Sequence, residues 1–193
     1  MSPLALPAYA LYLRLDAKTQ RKVHMDLQRY LAFNEGDEAD FRATFLKGVR
    51  GWPTFRTLFY YRCADGDLDK ASKVLFKACR VALPPLTSVE LGAKSIGGGL
   101  RITHHCCVVY AERIGENVGI GPFVVVGAHD NAFPTIEDGV RISANSVVMG
   151  GITLGKGCIV GAGSVVNKDV PAGAVVVGSP AHVLRIEDEK SQA

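Results

Sequence analysis

The stretch Arg101-Ile102-Thr103-His104-His105-Cys106-Cys107 sets two imidazoles beside two thiols. An imidazole has an unperturbed pKa near working pH, which suits it to act as a general base. His104 is the candidate general base, because the spacing of its neighbours turns Ile102 and Cys106 inward and leaves His104 on or beside a bend, facing out. Cys106 reads as a small buried residue, Cys107 keeps a candidate thiol role, and the part played by His105 stays open. A second polar group, His129, Asp130 and Asn131, lies where it can be held above a groove for a small polar substrate. His104, His105 and His129 form a candidate zinc set, although adjacent histidines point in different directions.

The surrounding sequence supplies the frame that would position these groups. An aliphatic residue returns every sixth position at Ile96, Ile102, Val108, Ile114, Ile120 and Val126, and again at Ile136, Ile142, Val148, Leu154, Val160 and Val166. Four residues after many of these comes a second, smaller set: Cys106, Val118, Val124, Val140, Ser146, Ile152, Cys158, Ser164 and Val170. Neither a helix nor a sandwich strand has that period. It predicts a prism-shaped coil of short strands, the first set pointing inward and stacking on neighbouring turns at ~4.8 Å spacing. Gly97, Gly115, Gly121, Gly155 and Gly161 fall at the bends, where positive φ or close backbone approach is needed. From Val126 to Ile136 the interval is ten residues instead of six, so four must leave the coil as a loop within residues 127–135. That loop carries His129, Asp130 and Phe133.

The expected class is α+β, with a helical domain over residues 1–83, the coil over 84–183 and a tail over 184–193. Asp16 caps a helix reaching Phe33, with Val23, Leu27, Tyr30 and Leu31 on one face, and residues 34–36 end it. Further helices are predicted over 40–49, after Trp52-Pro53 with Phe55, Leu58, Phe59 and Arg62 on one face, and over 68–83 with Val74, Leu75, Ala78 and Val81 inward. Residues through Ile186 are expected to cover the open end of the coil, and 187–193 to be a charged, mobile end.

Composition narrows the function classes. The 193 residues carry a formal charge of +3 with no Lys/Arg run, which argues against nucleic acid. No apolar run reaches membrane-spanning length, and the start lacks a signal-peptide pattern, so a cytoplasmic location is expected. Five cysteines, an odd number with two adjacent, suit a reducing compartment.

Several motifs resemble one family. A helical N-terminal part, a hexapeptide coil, an early histidine and an extruded loop ending in Pro134-Thr135-Ile136 are followed by Gly161-Ala162-Gly163-Ser164-Val165-Val166, Lys168-Asp169-Val170-Pro171 and Val177-Gly178-Ser179-Pro180-Ala181. That order, with Phe55-Arg56-Thr57-Leu58-Phe59-Tyr60-Tyr61-Arg62 in the helical part, resembles the serine acetyltransferases and their capsule and sugar acetyltransferase relatives. The resemblance implies a left-handed parallel β-helix, a homotrimer with its trimers possible in pairs, and acetyl transfer from acetyl-CoA in grooves between subunits. On it, His104 falls at the catalytic histidine. Gly127, Ala144 and Ala162 fall along the pantetheine, Lys168 (with Arg185 second) at the CoA phosphates, and Thr103, His129, Asp130 and Phe133 at the acceptor.

Two departures bear on the acceptor: the family has Asp where this chain has Thr103, and His where it has Phe133. The chain also closes without the isoleucine that docks into cysteine synthase, so no such complex is expected. The resemblance therefore implies O-acetyl transfer to a small polar acceptor. Its alternatives are N-acetyl transfer to an amino sugar or specialised metabolite, a zinc enzyme like the carbonic anhydrases that share this coil, and a non-catalytic scaffold.

Overall fold

The structure is a computed structural model and describes residues 5–33 and 40–186. The readings of residues 34–36 as a helix stop, of 187–193 as a mobile end without a docking isoleucine, and of the first four residues of the start lie outside that set. The chain divides into two compact units, Met1–Thr87 and Ser88–Ala193. Among the described residues no helix is long and apolar enough to cross a membrane.

The first unit is built of α1 (Leu6–Tyr12), α2 (Ala17–Phe33), α3 (Phe41–Gly51), α4 (Pro53–Asp65) and α5 (Lys70–Ala82). Three aspartates start helices as their side chains allow: Asp16, Asp40 and Asp69 accept the backbone N–H of Thr19, Ala43 and Ser72. The predicted faces of α2 and α4 are buried, and Phe45 meets Phe55 and Phe59 edge to face at the centre. The short α1 was not marked by any period.

In α5 the inward face differs from expectation. Val74 and Val81 are 69 % and 85 % exposed and Ala78 is exposed, while Ser72 and Cys79 are buried. The helix carries two stripes, and contacts on the second decide. Phe76 meets the Tyr60 ring, and the Tyr60 hydroxyl donates toward the carbonyls of Cys79 and Leu83, each at 3.0 Å.

The second unit is a parallel β-solenoid of about 5 turns. Its strands in chain order are β1 (Val89–Ile96), β2 (Arg101–Ile102), β3 (Cys107–Ile114), β4 (Gly119–Ile120), β5 (Val125–Gly127), β6 (Thr135–Ile136) and β7 (Arg141–Ile142). They continue with β8 (Val147–Met149), β9 (Thr153–Leu154), β10 (Ile159–Val160), β11 (Val165–Val166), β12 (Ala174–Gly178) and β13 (Ala181–Ile186). One face stacks β2, β4, β7, β10 and β12, with β13 antiparallel along β12. The other two faces meet in β3, whose first half pairs with β5 and whose second half pairs with β6, while β1 pairs along its full length.

The aliphatic track is buried throughout except at Val108, which is 37 % exposed, while Cys107 and Val109 are fully buried and Cys106 is exposed. Thus Cys106 and Val108 do not point inward as their spacing predicts. Backbone hydrogen bonds give the reason. Thr103 N–H donates to the Ile120 carbonyl as Gly121 N–H does to Ile142, and Val108 N–H donates to Val124 as Val125 N–H does to Ser146. The corner from Thr103 to Val108 therefore holds one residue more than the corner from Gly121 to Val125. Val109 takes the inward place opposite Val126, and the five-residue step from Val109 to Ile114 restores the register.

At Gly121 and Gly155 the requirement is close approach, not positive φ: a Cβ would stand 2.7 Å from the Ala144 nitrogen and 2.6 Å from the Ala172 nitrogen. The extra residues after β5 do leave the coil. His129 and Ala132 exchange backbone hydrogen bonds around Asp130 and Asn131, whose φ values of 51 and 59° suit a two-residue hairpin turn. The hairpin rests on Gly151, where a Cβ would meet that of Ala132 at 2.8 Å.

Candidate active site

The enlarged corner carries His104, His105 and Cys106, all exposed, on a backbone pinned at both ends by the ladder. Cys106 holds φ at 64°, and its Sγ lies 3.8 Å from His105 Nδ1. Thr103 is half-buried, and its hydroxyl donates to the Ile120 carbonyl at 3.1 Å, which ties the residue before His104 to the next coil. The Cys107 thiol points inward and donates to the Gly121 carbonyl at 3.1 Å. Burial pushes that thiol up in pKa, so it lacks both the exposure and the ionisation that a nucleophile requires.

Below this corner the coil keeps small residues. Thr103 stacks over Gly121, Gly121 over Ser143 and Ser143 over Gly161, so His104 opens the column that continues through Pro122, Ala144 and Ala162. Gly127 and Lys168 belong to the next corner, across the face made by β5, β8 and β11. Nothing comes within 4 Å of where a Cβ on Gly127 would stand, and Lys168 is exposed. The four positions thus border one coil face, with room for an extended arm along it.

His129 and Asp130 sit on the hairpin, 70 % and 90 % exposed at their side chains, with Nε2 and Oδ2 3.6 Å apart. Among the described residues no three His, Cys, Asp or Glu side chains converge as a metal would need, and His129 stands a strand away from His104 and His105. Phe133 is 41 % exposed at the far end of β3, where Glu112 N–H donates to the Pro134 carbonyl at 2.8 Å. There it joins a concavity of about 300 Å³ on the outer side of β1 and β3. Gly92, Ala93, Lys94, Tyr110 and Glu112 in its lining carry no motif. The trace they do leave is the 18-residue repeat of one full turn, which sets Gly92 beside Tyr110 and Lys94 beside Glu112.

Residues 133–168 match the family model for the bacterial transferase hexapeptide of six repeats. Over these residues the coil carries the repeat of the bacterial hexapeptide transferases. Serine acetyltransferase 2 of Arabidopsis thaliana is 30 % identical over 182 residues, 91 % of this chain and 55 % of the relative. A 2,3,4,5-tetrahydropyridine-2,6-dicarboxylate N-acetyltransferase of Clostridium perfringens is 54 % identical over 57 residues, 30 % of this chain and 24 % of the relative. The hexapeptide-repeat chain thus spans about half the length of the first curated relative and about a quarter of the second. Among solved structures, serine acetyltransferase of Neisseria gonorrhoeae in complex with serine superposes with a TM-score of 0.66 at 25 % identity, over 94 % of this chain and 84 % of that one. Soybean serine acetyltransferase complexed with serine gives 0.66 at 27 %, over 94 % and 74 %. The likenesses to serine acetyltransferases run through the helical part as well as the hexapeptide coil.

Proposed function

We propose that this chain is an acetyl-CoA-dependent acetyltransferase acting on a hydroxyl of a small polar acceptor, with His104 as general base. The observation that carries the reading is the exposed His104 at the head of a corner column of small residues, in a chain similar to serine acetyltransferases over nearly its whole length.

In this reading the neutral imidazole takes the hydroxyl proton while the oxygen attacks the thioester carbonyl, and the same proton goes to the CoA sulfur as the C–S bond breaks. Backbone N–H groups at the coil bends meet the developing oxyanion. No acyl-enzyme is required, consistent with the buried Cys107. Gly127, Ala144 and Ala162 let the pantetheine lie close, and Lys168 meets the phosphates. Thr103, His129, Asp130 and Phe133 border the acceptor. The resemblance sets Thr103 and Phe133 where the serine acetyltransferases have Asp and His, and this departure favours an acceptor other than free serine. The working unit is a homotrimer with sites in the grooves between copies, acting in the cytoplasm without nucleic acid or membrane as partner.

Release of CoA thiol from acetyl-CoA with a panel of hydroxyl acceptors tests this. His104→Ala should lower kcat by about two to four orders of magnitude and leave CoA affinity nearly unchanged. Full turnover in that variant removes His104 from the mechanism.

A further inference from the structure

The concavity beside Phe133 has a composition that selects among acceptors. Its floor is Gly92, Ala93 and Ala111, and its walls are the rings of Tyr110 and Phe133, each 41 % exposed. The Tyr110 ring lies so close over Gly92 that a Cβ there would come within 2.8 Å of it. The charged groups at the rim are already matched: Lys94 Nζ lies 2.6 Å from Glu112 Oε1, and the Tyr110 hydroxyl donates to Glu90 at 3.2 Å. Glu90 accepting that bond raises the phenol pKa and keeps it protonated. A free amino acid would need one cation and one anion for itself, and would have to compete for them with the Lys94–Glu112 pair. A neutral ring with an apolar face and a hydroxyl edge suits both parts, because C–H groups pack on the rings while carboxylate and phenol oxygens accept from hydroxyls. About 300 Å³ is at the small end for ligand pockets, right for one ring and too small for a cofactor.

From this arrangement we infer that the concavity lined by Tyr110 and Phe133 holds a pyranose ring of a carbohydrate acceptor. This rests on the acetyltransferase reading, in which the pocket serves His104 of a neighbouring copy.

Saturation-transfer NMR on the full chain, without acetyl-CoA, tests binding apart from catalysis, using methyl glycosides of gluco, galacto and manno configuration against L-serine. Transfer to ring protons of at least one glycoside and none to serine is expected. Phe133→Ala and Tyr110→Ala should each weaken that binding roughly tenfold. Phe133 is an exposed loop residue, so its variant stays informative if Tyr110→Ala fails to fold. Serine binding without glycoside binding, or glycoside binding indifferent to Phe133→Ala, overturns the inference. Thiol release with a non-carbohydrate acceptor and no glycoside bound overturns it too, and leaves the acetyltransferase reading standing. Glycoside binding that depends on Phe133, with no thiol release from any acceptor, overturns the enzyme reading instead.

Discussion

Asp69 does two jobs with one carboxylate. It caps α5 by accepting the Ser72 N–H at 2.6 Å, and it accepts from Arg14 at 2.8 Å. The backbone hydrogen bond from Ser72, and after it the bond from Arg14, hold its pKa down at about 2, below the ~3.9 of an unstructured aspartate. The folded chain therefore binds this proton less readily than the unfolded chain. The stabilisation is complete above about pH 4 and is lost as pH falls toward about 2. Asp69→Asn keeps a capping oxygen and removes the charge, so its melting temperature should lie below that of the parent near neutrality and converge with it as the pH drops through that window. Melting curves that stay a constant interval apart down to about pH 2 would rule out the charge as the source. His104 depends on single-residue detail of another kind: one additional residue in its corner separates an exposed imidazole from the buried Cys107 thiol three positions on.

Between elements, α2 and α4 are joined by a buried ion pair. Arg62 Nε and one terminal nitrogen donate to the two carboxylate oxygens of Asp26 at 2.9 and 3.1 Å, and both side chains are 1 % exposed. Removing one partner strands the other charge in an apolar setting. Arg62→Met should thus cost about 3–5 kcal/mol in urea unfolding, and adding Asp26→Leu should recover most of it; a double variant as unstable as the single would show that the pair does not act as a unit. Arg62 was legible as a member of the helical face of α4, though not as half of an ion pair, since Asp26 is 36 residues away. α2 and α4 were readable because cap, stripe and proline agree. The inward side of α5 was not, because Val74 and Val81 make an apolar stripe as regular as the one that packs. The coil was readable from its six-residue period, yet the same period concealed the exchange at Cys106 and Val108. An added residue in the corner and a missing one in β3 cancel, leaving Ile102 and Ile114 two full repeats apart. The pocket of Gly92 and Tyr110 exists only through β1–β3 pairing and leaves no local mark.

At the scale of the whole molecule, one chain does not bring the candidate site together. His104 precedes β3, whereas Phe133 stands beside its far end, and Cys107 to Glu112 alone spans roughly 16 Å of strand. A small acceptor touching both residues needs them from different copies. The coil face between the two corner columns is suited to such a meeting, because Val108, Val125 and Met149 project from it, 37 %, 44 % and 36 % exposed. Sedimentation of the full chain should therefore give three times its 20.6 kDa mass. Val125→Glu should place a charge on that face and dissociate the assembly, while the inward residues of the coil, including Val126, stay packed. If the site is shared, thiol release should fall with the trimer fraction, and raising the protein concentration should restore both together by mass action. A folded monomer that turns over as fast as the trimer would mean that each coil holds a complete site, and Phe133 would then have to leave the set of acceptor residues that His104 serves.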